Sequence, residues 1–230
     1  MPITAVHCKS DLDAYIINKL GARTVTSDPL LAFYAVFTGP SPLDQPEVDN
    51  DHRTFIEATP EGWFYSALLS RQPCTRIVAF HTVPTHSSAK LARRRDGFLD
   101  LLHSSAPHTS AIILGNDYEI SGDGFPGCTA AGSSYLDKAC DFENRWIAVG
   151  DSAMAFDPLS SQGMMTALEM GYYVGATLAS QLDGADADER LEEGIIELYE
   201  GVKKAYVGQR AYYYGIVKRF EGQDFWNKII

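Results

Sequence analysis

The stretch Arg145-Trp146-Ile147-Ala148-Val149-Gly150-Asp151-Ser152-Ala153-Met154-Ala155-Phe156-Asp157-Pro158-Leu159-Ser160-Ser161-Gln162-Gly163 decides how this chain is read. Its apolar start, residues 146–149, reads as a buried strand. Gly150-Asp151 marks a turn, and Pro158 sits in a loop that ends where a long apolar helix opens near Gly163. That order suits a polyhydroxylated, partly anionic ligand. Asp151, at the end of a strand, is placed to accept hydrogen bonds from hydroxyls. A helix start at Gly163 offers backbone amides without helical partners and the positive end of the helix dipole. Taken alone, an Asp in this position is more often a turn or helix cap than a ligand.

Working outward, residues 164–182 contain a single charge, Glu169, and are long enough for a membrane span. They are rich in Ala, Gly, Thr and Ser, and Ala167, Gly171, Gly175 and Ala179 recur every four residues. Such a stripe of small residues suits close packing on a sheet, so the expectation is a buried helix and no membrane. A second helix is expected from about 186 to 206. Upstream, residues 10–20 read as a helix, with Ser10 as N-cap and Gly21 as stop. Residues 30–38 read as a buried strand. Residues 53–59 and 63–69 read as two strands of a hairpin turning at Pro60-Glu61-Gly62, and residues 75–83 as a third strand. Residues 87–104 have helical periodicity, with Leu91, Phe98, Leu101 and Leu102 on one face. Residues 111–123 read as extended, then glycine-rich.

The formal charge of −11 argues against nonspecific nucleic-acid binding, which needs positive charge to displace counterions. The basic cluster Arg93-Arg94-Arg95 reads as a solvated helix face or an anion contact. Cys8, Cys74, Cys128 and Cys140 show no C-x-x-C spacing and follow no secretory signal, the pattern of reduced thiols in a cytoplasmic protein. His81/His86 and His103/His108 are five apart, which does not place two ligands on one helical face, so no metal site is expected.

The quoted stretch resembles the second flavin-binding motif of the flavoprotein monooxygenases and flavin-dependent halogenases, in which Gly-Asp precedes a Pro and then a helix-opening Gly. The matching residues are Gly150, Asp151, Pro158 and Gly163, and residues 157–163 look most like the tryptophan-halogenase-like branch. Residues 57–67 followed by 77–82 look like that branch's central hairpin, and Arg219-Phe220 to Phe225-Trp226 are similar to its C-terminal end. The amino-terminal Gly-x-Gly-x-x-Gly turn of such proteins, which holds the FAD pyrophosphate, does not occur in these residues. Gly122-Asp123-Gly124-Phe125-Pro126-Gly127 has Pro inside the would-be helix start and no apolar strand before it.

The resemblance implies an α/β fold, α+β as a fragment: part of an FAD/NAD(P)-binding domain of the glutathione-reductase-like type, with a mixed, mostly antiparallel substrate-domain sheet and C-terminal helices. The implied division is 1–140 for the substrate domain, 141–184 for the C-terminal part of the FAD-binding domain and 185–230 for a helical region. FAD is the implied cofactor, held weakly or not at all by this chain alone. Asp151 would bind its ribityl chain. Phe156 and Pro158 would shape the ring's face, and the backbone of Gln162, Gly163 and Met164 would meet its pyrimidine edge. Trp63, Tyr65 and His81 are candidates for lining a substrate cavity, against core packing as the plainer reading. True tryptophan halogenases carry Trp-x-Trp-x-Ile-Pro where this chain has Trp63-Phe64-Tyr65-Ser66-Ala67-Leu68, and many have Glu where Ser160 stands. Hydroxylation by a flavin hydroperoxide is therefore the better expectation at family level, on an aromatic or protein-borne substrate, with a flavin reductase as a possible partner. Halogenation, or a catalytically silent fragment or interaction module, are the alternatives.

Overall fold

The computed structural model describes residues 21–40, 49–122, 126–182 and 189–229. The helix expected over 10–20 lies outside them, as do residues 123–125 of the rejected glycine-rich turn. In chain order the first strands are β1 (Thr24–Thr26), β2 (Leu31–Thr38), β3 (Phe55–Thr59), β4 (Gly62–Arg71) and β5 (Cys74–Thr82). Helices α1 (Ser88–Leu91), α2 (Arg95–Ser105) and α3 (Pro107–Gly115) follow. Short strands β6 (Glu119–Ile120), β7 (Gly127–Ala130), β8 (Ser134–Leu136), β9 (Cys140–Asp141), β10 (Trp146–Ile147) and β11 (Met154–Ala155) lead to helices α4 (Gly163–Leu182), α5 (Glu189–Gly215) and α6 (Asp224–Ile229). The chain divides into two compact units. One holds the described residues before Pro29 together with Gly132–Tyr213; the other holds Pro29–Ala131 and the chain after Tyr213.

The second unit is built on a six-stranded sheet of order β3-β4-β5-β2-β6, with β7 also paired to β2. All its pairings are antiparallel, as the alternating hairpin sequences imply. Register puts Phe33, Phe80 and Phe64 in one cross-strand row, and all three are fully buried. The Phe64 ring lies 4.8 Å from Phe80 and meets Phe98 of α2 edge-on at 6.0 Å. Aromatic rows of this kind add pairwise contact to plain area burial. The neighbouring row faces the other way. There Trp63 stacks on His81 with centroids 3.7 Å apart and planes 5° apart. The chain's end covers that side: Trp63 Nε1 donates to Tyr214 OH (3.1 Å) and Trp226 Nε1 to Thr59 O (2.8 Å).

This sheet also buries a charge. Arg76, fully buried, pairs with Asp49 at 2.7 Å and donates to Ser66 Oγ (3.2 Å) and the Asp51 carbonyl (2.9 Å). Tyr118 OH donates to the same carboxylate at 2.9 Å. A buried ion pair is tolerated when its remaining donors and lone pairs are met in this way.

Two helical expectations are corrected. The 87–104 segment is not one helix: α1 ends at Leu91 and α2 begins at Arg95. Gly97 lets the backbone of Leu91 fold back against it, where any Cβ would collide with the Leu91 carbonyl. Leu91 is consequently 51% exposed, while Phe98, Leu101 and Leu102 are buried. Residues 111–115, expected to be extended, belong instead to a helix over Pro107–Gly115, and only Glu119–Ile120 of that stretch form a strand. Pro107 suits the first helical turn, and the Glu57 carboxylate of β3 accepts from the amides of His108 (3.1 Å) and Thr109 (2.8 Å) and from Thr109 Oγ1 (2.8 Å). The cap lies about fifty positions away in sequence.

In the first unit, β1-β8-β11 form a three-stranded sheet, and β9 and β10 form a separate pair. Trp146 and Ile147 are thus in a strand that stands outside the six-stranded sheet, as the sequence suggests. Its core joins Cys140, Ile147, Met154, Met170, Val174, Ile195 and Tyr199. Here a third expectation fails. The small-residue stripe of α4 is not its packed face: at Gly171 and Gly175 nothing lies within 4 Å of where a Cβ would stand, and the buried residues are Met170 and Val174. Only Ala167, at the head of the stripe, makes the expected close approach, beneath Gly150. Among the described residues, no helix is long and apolar enough to cross a membrane.

Candidate functional site

The candidate site follows β10. The chain leaves Ile147, turns through a 3-10 segment at Gly150–Ser152, makes the short strand β11 and turns again at Pro158–Ser160 before entering α4. Gly150 has φ of +60°, and a Cβ there would come within 2.9 Å of the Ala167 side chain. Glycine is required on both counts. The turn is fastened by Ala153 N donating to Gly150 O (2.9 Å) and Ser152 Oγ to Val149 O (2.7 Å). Tyr199 of α5 donates to the Ala148 carbonyl, so the strand entering the turn is tied to α5 as well. Burial raises the pKa of Tyr199 above the ordinary phenol range.

Asp151 is exposed, and its Oδ1 lies 3.8 Å from where a Cβ on Gly163 would stand. The carboxylate and the opening of α4 therefore share one small region. The amides of Gly163, Met164 and Met165 belong to the first helical turn and have no carbonyl behind them within the helix. Met164 is 84% exposed. Gln162, whose carbonyl accepts from Thr166 N (2.9 Å), starts the helix and donates through its side chain to Gln209. Phe156 is half-buried with its ring 4.6 Å from that of Tyr206, and Pro158 is exposed. Gly150, Asp151, Phe156, Pro158, Gln162, Gly163 and Met164 thus follow one another along the turn, the loop and the helix start, with Asp151 and Gly163 brought side by side and Gly150 buried.

Asp157, whose place before Pro158 reads in the sequence as a turn-shaping role, holds the second turn. Asp157 is almost wholly buried. Its Oδ1 accepts from Leu159 N (2.9 Å), its carbonyl accepts from Ser160 N (3.0 Å) and Ser160 Oγ (2.8 Å), and its amide donates to Tyr206 OH (3.2 Å). Ser161, which ends the turn, takes a left-handed conformation with φ of +52°. The signal in the sequence was Asp-Pro followed by two serines, a turn-forming set.

The three other candidates lie in the second unit. Trp63 and His81 are buried against one another, and Tyr65 is half-buried. Burial lowers the His81 pKa to about 3, against a weaker opposing effect of a hydrogen bond with the Trp63 backbone. The ring is therefore neutral at physiological pH. An apolar groove of about 690 Å³ runs along β3, between Phe55–Ala58, His108 and Thr109 on one side and Ile216–Arg219 on the other. Trp63, Tyr65 and His81 are not among its lining residues.

No protein-family model matches the chain. Over 90 residues, 38% of the chain, it is 32% identical to LodB of Marinomonas mediterranea, whose name places it among FAD-dependent oxidoreductases. Among solved structures, CmlS, a flavin-dependent halogenase, superposes on 93% of the chain with a TM-score of 0.71 and 19% identity. The flavin-dependent brominase Bmp2 superposes on 90% with a TM-score of 0.68 and 16% identity. The fold is that of the flavin-dependent halogenases. The peptidyl tryptophan dihydroxylase QhpG also shares it, over 89% of the chain with a TM-score of 0.57 and 16% identity. The chain spans 37% of CmlS, 49% of Bmp2, 44% of QhpG and 22% of LodB. The mixed α/β character and antiparallel sheet of the halogenase-like fold are therefore present in a chain about half as long, or less, as these relatives.

Proposed function

We propose that this chain forms the ribityl- and ring-contacting part of an FAD-dependent oxidoreductase, most closely a hydroxylating monooxygenase. One observation carries the reading: Asp151 stands in the turn that follows β10, with its carboxylate beside the first turn of α4 at Gly163. Asp151 would accept from ribityl hydroxyls, and the amides of Gly163 and Met164 would face the electron-rich pyrimidine edge. When bound, reduced flavin supplies the activation of dioxygen; the chain's own residues orient the ring and keep the loop in shape. The pyrophosphate contacts would come from a glutathione-reductase-like βαβ unit that these residues do not include.

Hydroxylation is preferred to halogenation on two residues. Ser160, where many halogenases have Glu, is a buried hydroxyl engaged with the Asp157 carbonyl. Trp63, the one Trp retained from the halogenase hairpin, is engaged with Tyr214. The substrate would be aromatic or peptidyl, the second being the chemistry for which QhpG is named. A flavin reductase would supply electrons, and the cytoplasm would suit its free thiols. The exposed apolar residues of α4, Met164, Leu168 and Tyr172, favour a second reading, an interaction module that takes up no flavin.

Titration of the chain with FAD, followed by flavin fluorescence, separates these readings. Weak saturable binding is expected, and Asp151→Ala should lower affinity about ten- to hundredfold, the range for losing a charged hydrogen bond. Absence of binding at millimolar FAD, or binding indifferent to Asp151→Ala, would refute the flavin assignment. Chloride or bromide should leave the bound flavin's spectrum unchanged; a halide-dependent shift would favour halogenation.

A further inference from the structure

Behind the Asp157–Gly163 segment lies a buried polar cluster that neither the motif nor the proposed chemistry accounts for. Ser133 donates twice to Asp28, from N to Oδ1 (2.8 Å) and from Oγ to Oδ2 (2.7 Å). Tyr206 OH is hydrogen-bonded to Ser133 Oγ and accepts from the amide of Asp157 at 3.2 Å. Direction follows from the inventory of donors. An ionised Asp28 only accepts, and the Asp157 amide only donates. The protons are therefore ordered one way, from Asp157 N–H to Tyr206, from Tyr206 O–H to Ser133 and from Ser133 O–H to Asp28. Arg210 Nε stands 3.3 Å from Asp28 Oδ2 and 3.8 Å from Asp157 Oδ2, so one guanidinium faces both carboxylates. Asp28, Ser133, Tyr206 and Asp157 are each at most 9% exposed.

Three properties separate this cluster from ordinary core filling. It joins segments far apart in sequence, at 28, 133, 157 and 206–210. It meets the candidate site's loop at Asp157, whose amide, carbonyl and carboxylate are all engaged. The Tyr206 ring also packs on Phe156, 4.6 Å between centroids, so both residues that flank the start of the loop are held by one side chain. An oriented hydroxyl chain ending on a carboxylate has little freedom to reorganise, and such networks favour a single arrangement when every member is satisfied.

We propose that Asp28, Ser133, Tyr206 and Arg210 are a positioning set that fixes the 157–163 loop in the shape that receives the flavin ring. The inference rests on the proposed function for its ligand, but its structural half needs no ligand. Asp151 lies outside the set and would bind the cofactor without shaping this loop.

The test uses the full chain and four variants. Tyr206→Phe keeps the ring on Phe156 and removes only the hydroxyl. Arg210→Met removes the charge, and Arg210→Lys restores it. Asp151→Ala is the comparison. Without flavin, amide hydrogen exchange at residues 159–164 should quicken about three- to tenfold in Tyr206→Phe and Arg210→Met, the range for one lost hydrogen bond, and stay at the parent rate in Asp151→Ala. With FAD as the probe, Tyr206→Phe should weaken binding about three- to tenfold and shift the visible spectrum of the bound flavin. Arg210→Lys should recover both readouts, which a loss of general stability would not produce. Unchanged exchange in Tyr206→Phe would overturn the proposal. So would quickened exchange with parental FAD affinity and spectrum, because the loop would then be held for some other purpose. If the parent chain takes up no flavin while Tyr206→Phe still loosens the loop, the proposed function fails and the flavin half of this inference fails with it; the loop-fixing half stands.

Discussion

The two units solve the same problem with different means. The Pro29–Ala131 unit closes its core with consecutive antiparallel strands, so that Phe33, Phe80 and Phe64 fall into one row by register alone. The unit containing Gly132–Tyr213 has strands of two to three residues in two small sheets, and holds its turns with side-chain hydrogen bonds instead. The first concentrates its stability in apolar contact. The second places its polar groups where a loop must keep one shape, and leaves Met164, Leu168 and Tyr172 of α4 exposed. The contrast teaches where substitution should destabilise folding and where it should alter only a site.

The largest effect belongs to the aromatic row. Phe80 is fully buried between Phe33 and Phe64. Phe80→Ala should destabilise its unit by about 3–5 kcal/mol, because the sheet cannot collapse into the space left between three paired strands. Chemical denaturation followed by far-UV circular dichroism measures it. A loss below about 1 kcal/mol would mean that the row does not carry the core and that the contrast between the units is mistaken.

A smaller effect sits on the opposite face of the same sheet and depends on pH. His81 titrates near 6.5 in the unfolded chain and at about 3 when folded, because burial disfavours its charged form. Between those values the unfolded state binds the extra proton. This contribution to stability is full above about 6.5 and falls as the pH drops, at up to about 1.4 kcal/mol per pH unit. Going from pH 7 to pH 5 should therefore cost roughly 2 kcal/mol. His81→Phe keeps an aromatic ring on Trp63 and should flatten this part of the pH profile. An equal slope in the variant would assign the dependence to other groups.

Next comes the remote helix cap. Glu57→Ala strips three hydrogen bonds from the start of α3 and should cost about 1–2 kcal/mol, the upper range for a cap. Faster amide exchange confined to α3 and its neighbours would locate the loss. Uniform loosening of the whole unit would show that Glu57 supports the sheet rather than the helix.

These cases also show what the sequence makes legible. Alternating apolar patterns and the turn at Pro60-Glu61-Gly62 are local, so both strands of the hairpin are readable in outline, although β3 begins at Phe55 and β4 takes in Gly62 and runs on to Arg71. Gly150, Asp151, Pro158 and Gly163 are readable as a motif for the same reason: their spacing is carried within fourteen positions. The helix Pro107–Gly115 is not, because its cap is Glu57 on another strand. The break after Leu91 depends on a backbone approach that Gly97 permits, which periodicity does not encode. Tyr206 and Arg210 look like any polar positions on a long helix until the fold brings Asp28 and Asp157 beside them.

The smallest effect tests the other side of the comparison, the outward face of α4. Gly171 lies inside this helix with open space where its Cβ would be. Gly171→Ala removes backbone freedom from the unfolded chain without a clash, and should raise stability by about 0.5–1 kcal/mol. Leu168, 69% exposed one turn earlier, has little burial to lose, so Leu168→Ala should stay within about 0.5 kcal/mol of the parent. The pair is informative because its signs are set by exposure alone. Were this face covered in solution, by a second copy or by another part of a longer protein, the alanine at 171 would push against the covering surface. Leu168→Ala would then forfeit buried area of the kind worth about 2–5 kcal/mol. Denaturation midpoints of the two variants, read across a hundredfold range of protein concentration (roughly, to expose mass action), decide between an open face and a covered one.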